Sequence, residues 1–112
     1  MSELPKLVRD KIPEIIERND DEKAFWEKVS DSEAERLLRE KLVEESREFE
    51  EDGDIRELAD VYAVLTEYMD RKDISFSELE KIESKKKESR GGFKRNILLE
   101  EVESVKSKDK NE

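Results

Sequence analysis

The 112-residue chain has no cysteine, no histidine, two prolines and three glycines. Without cysteine there is no disulfide framework, no zinc–thiolate site and no thiol nucleophile. Without histidine the commonest general base and metal ligand is gone. Any catalysis is then left to carboxylates, Lys, Arg, Tyr, Ser or a hard metal ion with oxygen ligands, magnesium or manganese. Prolines stand only at Pro5 and Pro13 and glycines only at Gly53, Gly91 and Gly92, so the turn punctuation of an all-β fold is missing. Long apolar runs are missing too. Nothing approaches the roughly 18 residues of a membrane span, and the opening MSELPKLVRD has no apolar signal segment, so the expectation is a soluble cytoplasmic protein with no membrane partner.

What the chain has in abundance is charge. Half of its residues are charged, and 33 acidic against 23 basic side chains give a net charge of −10. That excess opposes binding to a nucleic acid polymer or an anionic membrane, while local basic clusters remain able to hold a phosphate group. Leu, Ile, Val and Phe make up a quarter of the residues, above the roughly 20 % below which so charged a chain is expected to stay disordered. One small domain over residues 1–105 is therefore expected, with a thin core and a disordered tail over 106–112, where KSKDKNE has nothing to bury. A core so thin predicts further burial by self-association.

The pattern reads as an all-α fold of about four helices. Asp10 is the expected cap of a first helix over 11–18, with Pro13 tolerated in the first turn. Residues 19–29 carry no clean period and read as a loop with a short extended piece at 25–29. Ser30 and Glu33 form a capping box, and Ala34, Leu38, Leu42 and Phe49 follow at helical spacing to about Glu51. Asp52-Gly53-Asp54 breaks that helix. Asp54 with Glu57 starts a third, carried by Leu58, Val61, Tyr62, Leu65 and Met69 to about Asp70. The expected product is a helical hairpin. Ser75 is the expected cap of a fourth helix with Leu79 and Ile82 turned inward, stopped by Gly91 and Gly92; an extended stretch is expected over 93–99.

The hairpin places acids opposite acids. Glu45 and Glu48 are three apart before the turn, and Glu57 and Asp60 are three apart after it, so each pair shares a helix face. Glu48 with Glu57, and Glu45 with Asp60, are symmetric about the same point between Asp52 and Gly53. In an antiparallel hairpin the four carboxylates therefore meet. Glu45 lies on the stripe of Leu38, Leu42 and Phe49, while Glu57 and Asp60 flank that of Val61, Val64 and Tyr68, so the acids point partly inward. At ~4 Å near a surface one such pair repels by about 4 kcal/mol, and a cation is expected among them; magnesium suits such a cage.

Glu45-Ser46-Arg47-Glu48 followed by Glu57-Leu58-Ala59-Asp60 resembles the ExxE…ExxD signature of the all-α nucleotide pyrophosphohydrolases, the MazG-like and phosphoribosyl-ATP pyrophosphohydrolase-like group. The opening KLVRDKIP at 6–13 and Arg90-Gly91-Gly92-Phe93 are similar to the ends of its small single-domain branch, so the resemblance runs from Lys6 to about Val102. The interval from Phe49 to Arg56 is shorter than is common in that group and reads as a trimmed loop. The resemblance implies that Glu45, Glu48, Glu57 and Asp60 bind magnesium, with manganese as a substitute. It also implies hydrolysis of a nucleoside triphosphate, nonstandard ones included, to a monophosphate and pyrophosphate. Glu44 or Glu48 is then the carboxylate that takes the proton of the attacking water.

Phosphates need cations, and the candidates are Lys6, Arg9, Lys11, Lys41 and Arg90. A homodimer or higher symmetric oligomer is expected, because two helices cannot bury both their stripe and Leu37, Tyr62 and Leu65; two hairpins about a twofold axis give a four-helix core. Two other functions fit the same residues: a non-enzymatic acidic helical module that binds a basic partner, and a phosphoribosyl-ATP pyrophosphohydrolase of histidine biosynthesis.

Overall fold

The computed structural model describes residues 4–105. Among them there are four helices and no strand: α1 (Ile12–Glu17), α2 (Asp31–Asp52), α3 (Ile55–Arg71) and α4 (Phe76–Arg90). The chain is all-α, as its scarcity of glycine and proline requires. Its contacts divide it into two units, Met1–Phe76 and Ser77–Glu112.

The first unit is built on the α2–α3 hairpin. Ser30 Oγ accepts the Glu33 N–H at 3.2 Å and starts α2. Gly53 ends it with φ 66°, its N–H donating to Phe49 O at 2.7 Å. A side chain at Gly53 would meet no neighbour within 4 Å, so the left-handed backbone alone selects glycine there. Asp54 then caps α3, its Oδ1 accepting the Arg56 N–H at 2.9 Å. α3 ends without glycine: Asp73 takes φ 56°, and Ile74 N–H donates to Met69 O at 2.9 Å, a Schellman-type closure on an aspartate.

Arg39 Nη1 reaches Tyr68 Oη at 3.2 Å and Lys72 Nζ reaches Glu35 Oε1 at 3.3 Å, pairs symmetric about the turn to within a residue of the expected register. The buried apolar residues Ala34, Leu38, Val64 and Met69 lie toward the hairpin's open end. The only other buried residue among those described is Glu45, toward the turn. The hairpin thus has an apolar end and an acidic end, and Glu45 sits where the one meets the other.

Several expectations need correction. Asp10 does not cap α1. The Lys11 carbonyl accepts the Ile15 N–H at 3.0 Å, which makes Lys11 the N-cap residue, at φ −94° and ψ 0°, with no side-chain cap bond; that conformation is not the extended one from which a capping side chain reaches back. Pro13 does occupy the first turn. Of the two stretches read as extended, 93–99 begins with a bend and turn over 93–95, and neither it nor 25–29 pairs into a strand. In the second unit α4 begins right after Ser75 and ends at Gly91, φ 87°. However, Leu79 and Ile82 are exposed and no α4 residue is buried. The physical reason lies in the sequence: the stripe of Phe76, Leu79 and Ile82 continues as Lys86 and Arg90, too short an apolar face to be worth covering. The tail over 106–112 lies outside the described residues.

Candidate metal centre

α2 carries Glu44, Glu45 and Glu48, and α3 carries Glu57 and Asp60, each pair a turn apart on the facing side of its helix. One carboxylate oxygen from each of Glu44, Glu45 and Glu48 lies within 4.8 Å of the other two, and the same holds for Glu45, Glu57 and Asp60. Glu45 belongs to both groups and is 7 % exposed, while the other four are half-buried. The equal spacing of the two motifs from the turn, legible in the sequence, is what brings these groups together.

The electrostatics are those of a crowded anion cluster. Burial raises the Glu45 carboxyl above its usual range; Glu48 and Asp60 push it further and Lys41 opposes them. Burial likewise raises Glu57, with Glu48, Asp52 and Asp60 adding to it. Asp52, in the last turn of α2, was not among the residues singled out from sequence. Glu57 Oε1 is fully buried and has no hydrogen-bond partner. A buried carboxylate oxygen without a donor is costly; a proton shared with the neighbouring Glu48 carboxyl, which also raises Glu57, or a bound cation would each relieve that cost.

Three of the five basic residues read from sequence are at the acids. Lys41 Nζ lies 3.4 Å from Glu45 Oε2 and 3.7 Å from Glu44 Oε2. Lys6 Nζ lies 3.3 Å from Glu44 Oε2, and Arg9 Nη2 lies 2.9 Å from Asp60 Oδ1. Lys11 is exposed at the start of α1. Arg90 closes α4 in the second unit. With all of them ionised, these five carboxylates against Lys6, Arg9 and Lys41 sum to −2, and Asp52 adds to the negative charge felt by Glu57, so the excess favours a cation among them. An all-oxygen set of partly desolvated carboxylates, one oxygen of which is orphaned, fits magnesium or manganese and offers nothing to a softer metal.

No protein-family model, curated protein or solved structure matches this chain. What the site can do therefore rests on its own geometry.

Proposed function

We propose that this chain is a magnesium-dependent nucleotide pyrophosphohydrolase of the MazG-like, all-α kind, converting a nucleoside triphosphate to a monophosphate and pyrophosphate. The observation that carries the reading is the pair of carboxylate groups Glu44–Glu45–Glu48 and Glu45–Glu57–Asp60 that share Glu45 across the hairpin, with Glu48 also acting on Glu57 and Glu57 Oε1 buried without a hydrogen-bond partner. Glu45, Glu48, Glu57 and Asp60 would hold the ion. When bound, magnesium, or manganese in its place, supplies Lewis acidity toward phosphate oxygens and lowers the pKa of water.

The chain's own residues supply the rest. Glu44 or Glu48, at the edge of the ligand set, accepts the proton of the attacking water. Lys6, Arg9 and Lys41 line the acidic end of the hairpin and offer charge to the substrate's phosphates. Lys11, exposed at the start of α1, is a further phosphate ligand in this reading. Histidine is not needed at any of these steps.

The same reading includes a homodimer or higher symmetric oligomer. Ile55, Leu58 and Tyr62 form an exposed apolar face of α3, with the Tyr62 and Phe76 rings stacked at 6.4 Å, and Val43 is exposed on α2. A second copy is the partner that completes a four-helix core over these residues. Light scattering tests it: a 13.3 kDa species at tens of micromolar refutes the dimer. No helix among the described residues is long and apolar enough to cross a membrane.

The deciding experiment incubates the protein and magnesium with standard and nonstandard nucleoside triphosphates and with phosphoribosyl-ATP, and measures pyrophosphate release. Release that Asp60→Asn abolishes is the expected result. Release from phosphoribosyl-ATP alone would assign the histidine-pathway reaction, and none from any substrate would leave an acidic module that binds a basic partner.

A further inference from the structure

Two of the cations at the acids come from outside the hairpin. Lys6 and Arg9 belong to the segment ahead of α1, which forms no helix or strand, yet residues 6–8 are half-buried. One cation pairs with α2 and the other with α3: Lys6 with Glu44, in a partly buried pair, and Arg9 with Asp60, in an exposed one. Lys41 is different, because its backbone is fixed on α2 three and four residues from its partners, so release of the segment does not carry it away.

We propose that the segment from Lys6 to Arg9 is a releasable strap. Its ammonium and guanidinium act as internal counter-cations of the acid cluster in the metal-free protein, and a divalent cation loosens it, handing both charges to the substrate's phosphates. The inference rests on the reading of the acids as a divalent-cation site. Leaving the strap aside, the five carboxylates and Lys41 sum to −4, and that charge holds the strap in place. A divalent ion among the carboxylates halves it and competes for Asp60, whose Oδ1 Arg9 occupies. The exposed Arg9–Asp60 pair shifts an equilibrium only about one and a half- to fivefold, and the partly buried Lys6–Glu44 pair is screened less, so together they make a latch that a doubly charged ion can open. Linkage makes the effect mutual: whatever the ion does to the strap, the strap does to the ion's affinity. The released cations arrive where a triphosphate brings its charge, so the strap's ion pairs need no further basic residue to become phosphate contacts.

The test uses the full chain and magnesium chloride at constant ionic strength. Calorimetric titration compares the wild type, Lys6→Gln/Arg9→Gln, and a control, Arg36→Gln/Arg71→Gln. The control removes the same two charges from helix positions at least about 13 Å along α2 or α3 from Glu45 and Asp60, beyond a Debye length of ~8 Å. In parallel, trypsin cleavage of the wild type after Lys6 and Arg9 is followed by mass spectrometry against cleavage after Lys23 and Lys28, exposed in the 19–29 loop.

The expected result is magnesium binding about threefold to twentyfold tighter in the strap variant, little change in the control, and faster cleavage after Lys6 and Arg9 in saturating magnesium. Binding by the strap variant alone supports the proposal as well. Equal affinity in all three proteins, or cleavage after Lys6 and Arg9 that magnesium leaves unchanged, overturns the strap while the divalent-cation site stands. No binding to any of the three overturns both. The cleavage measurement uses the wild type, so a strap variant that failed to fold would still leave a decisive result.

Discussion

Replacing Glu45 by Gln should stabilise the metal-free protein and destabilise the magnesium-bound one. Glu45 is the most buried of the five acids, and its neighbours pull in opposite directions. Two carboxylates at up to 4.8 Å, Glu48 and Asp60, each repel it by ~3.5 kcal/mol at an effective dielectric of about 20. The Lys41 ammonium at 3.4 Å attracts it by ~5 kcal/mol on the same scale. Repulsion exceeds attraction by about 2 kcal/mol, and solvent relaxation plus the lost ion-pair geometry reduce the net gain of the neutral amide to about 1 kcal/mol. For a domain of this size that is a rise in Tm of about 4–8 °C.

Magnesium reverses the order. An ion at ~100 times its Kd would stabilise the wild type by about 2.7 kcal/mol, and Glu45→Gln removes the carboxylate shared by both groups of the cluster. Melting both proteins by circular dichroism in EDTA, in sodium and in magnesium at equal ionic strength separates site binding from screening. A Glu45→Gln protein that melts below the wild type in EDTA, or that keeps the wild-type magnesium shift, would refute the reasoning.

The raised Glu45 and Glu57 carboxyls also give a pH signature. Protons on them favour the folded state, so their contribution is complete below the ordinary glutamate range and is lost as pH rises through their elevated folded values; metal-free urea melts should show that loss, and Glu57→Gln should flatten it. Asp54, which Arg56 holds below its usual range, contributes with the opposite sign, so the comparison is between wild type and variant rather than between two pH values. At the hairpin turn, Gly53→Ala should cost about 1–2 kcal/mol from the left-handed backbone alone, because open space surrounds the new methyl group; a urea midpoint unchanged from wild type would contradict that. Asp73→Gly should do the reverse at the end of α3, where an aspartate occupies φ 56°, with a gain of up to ~1 kcal/mol.

The sequence by itself determined the four helices, the start of α2, the α2–α3 turn, the glycine stop of α4 and the meeting of the acids, but not the cap of α1 or the aspartate closure of α3. Ser30, Gly53, Asp54 and Gly91 act through hydrogen bonds and backbone angles within four residues of themselves, so a linear reading suffices to place them. The register of the hairpin followed from equal distances to one short turn, and it put Glu45, Glu48, Glu57 and Asp60 on facing sides. Tertiary structure alone decided which acid is buried, which oxygen is left without a donor, and that Lys6 pairs with Glu44 and Arg9 with Asp60 across 38 and 51 residues of chain. In a chain with 33 acids and 23 bases many such pairs compete, each worth about 1 kcal/mol or less, and no local rule ranks them. Leu79 and Ile82 differ: periodicity places them on one side of α4, and their exposure follows from a stripe that turns to Lys86 and Arg90, too short an apolar face to draw cover.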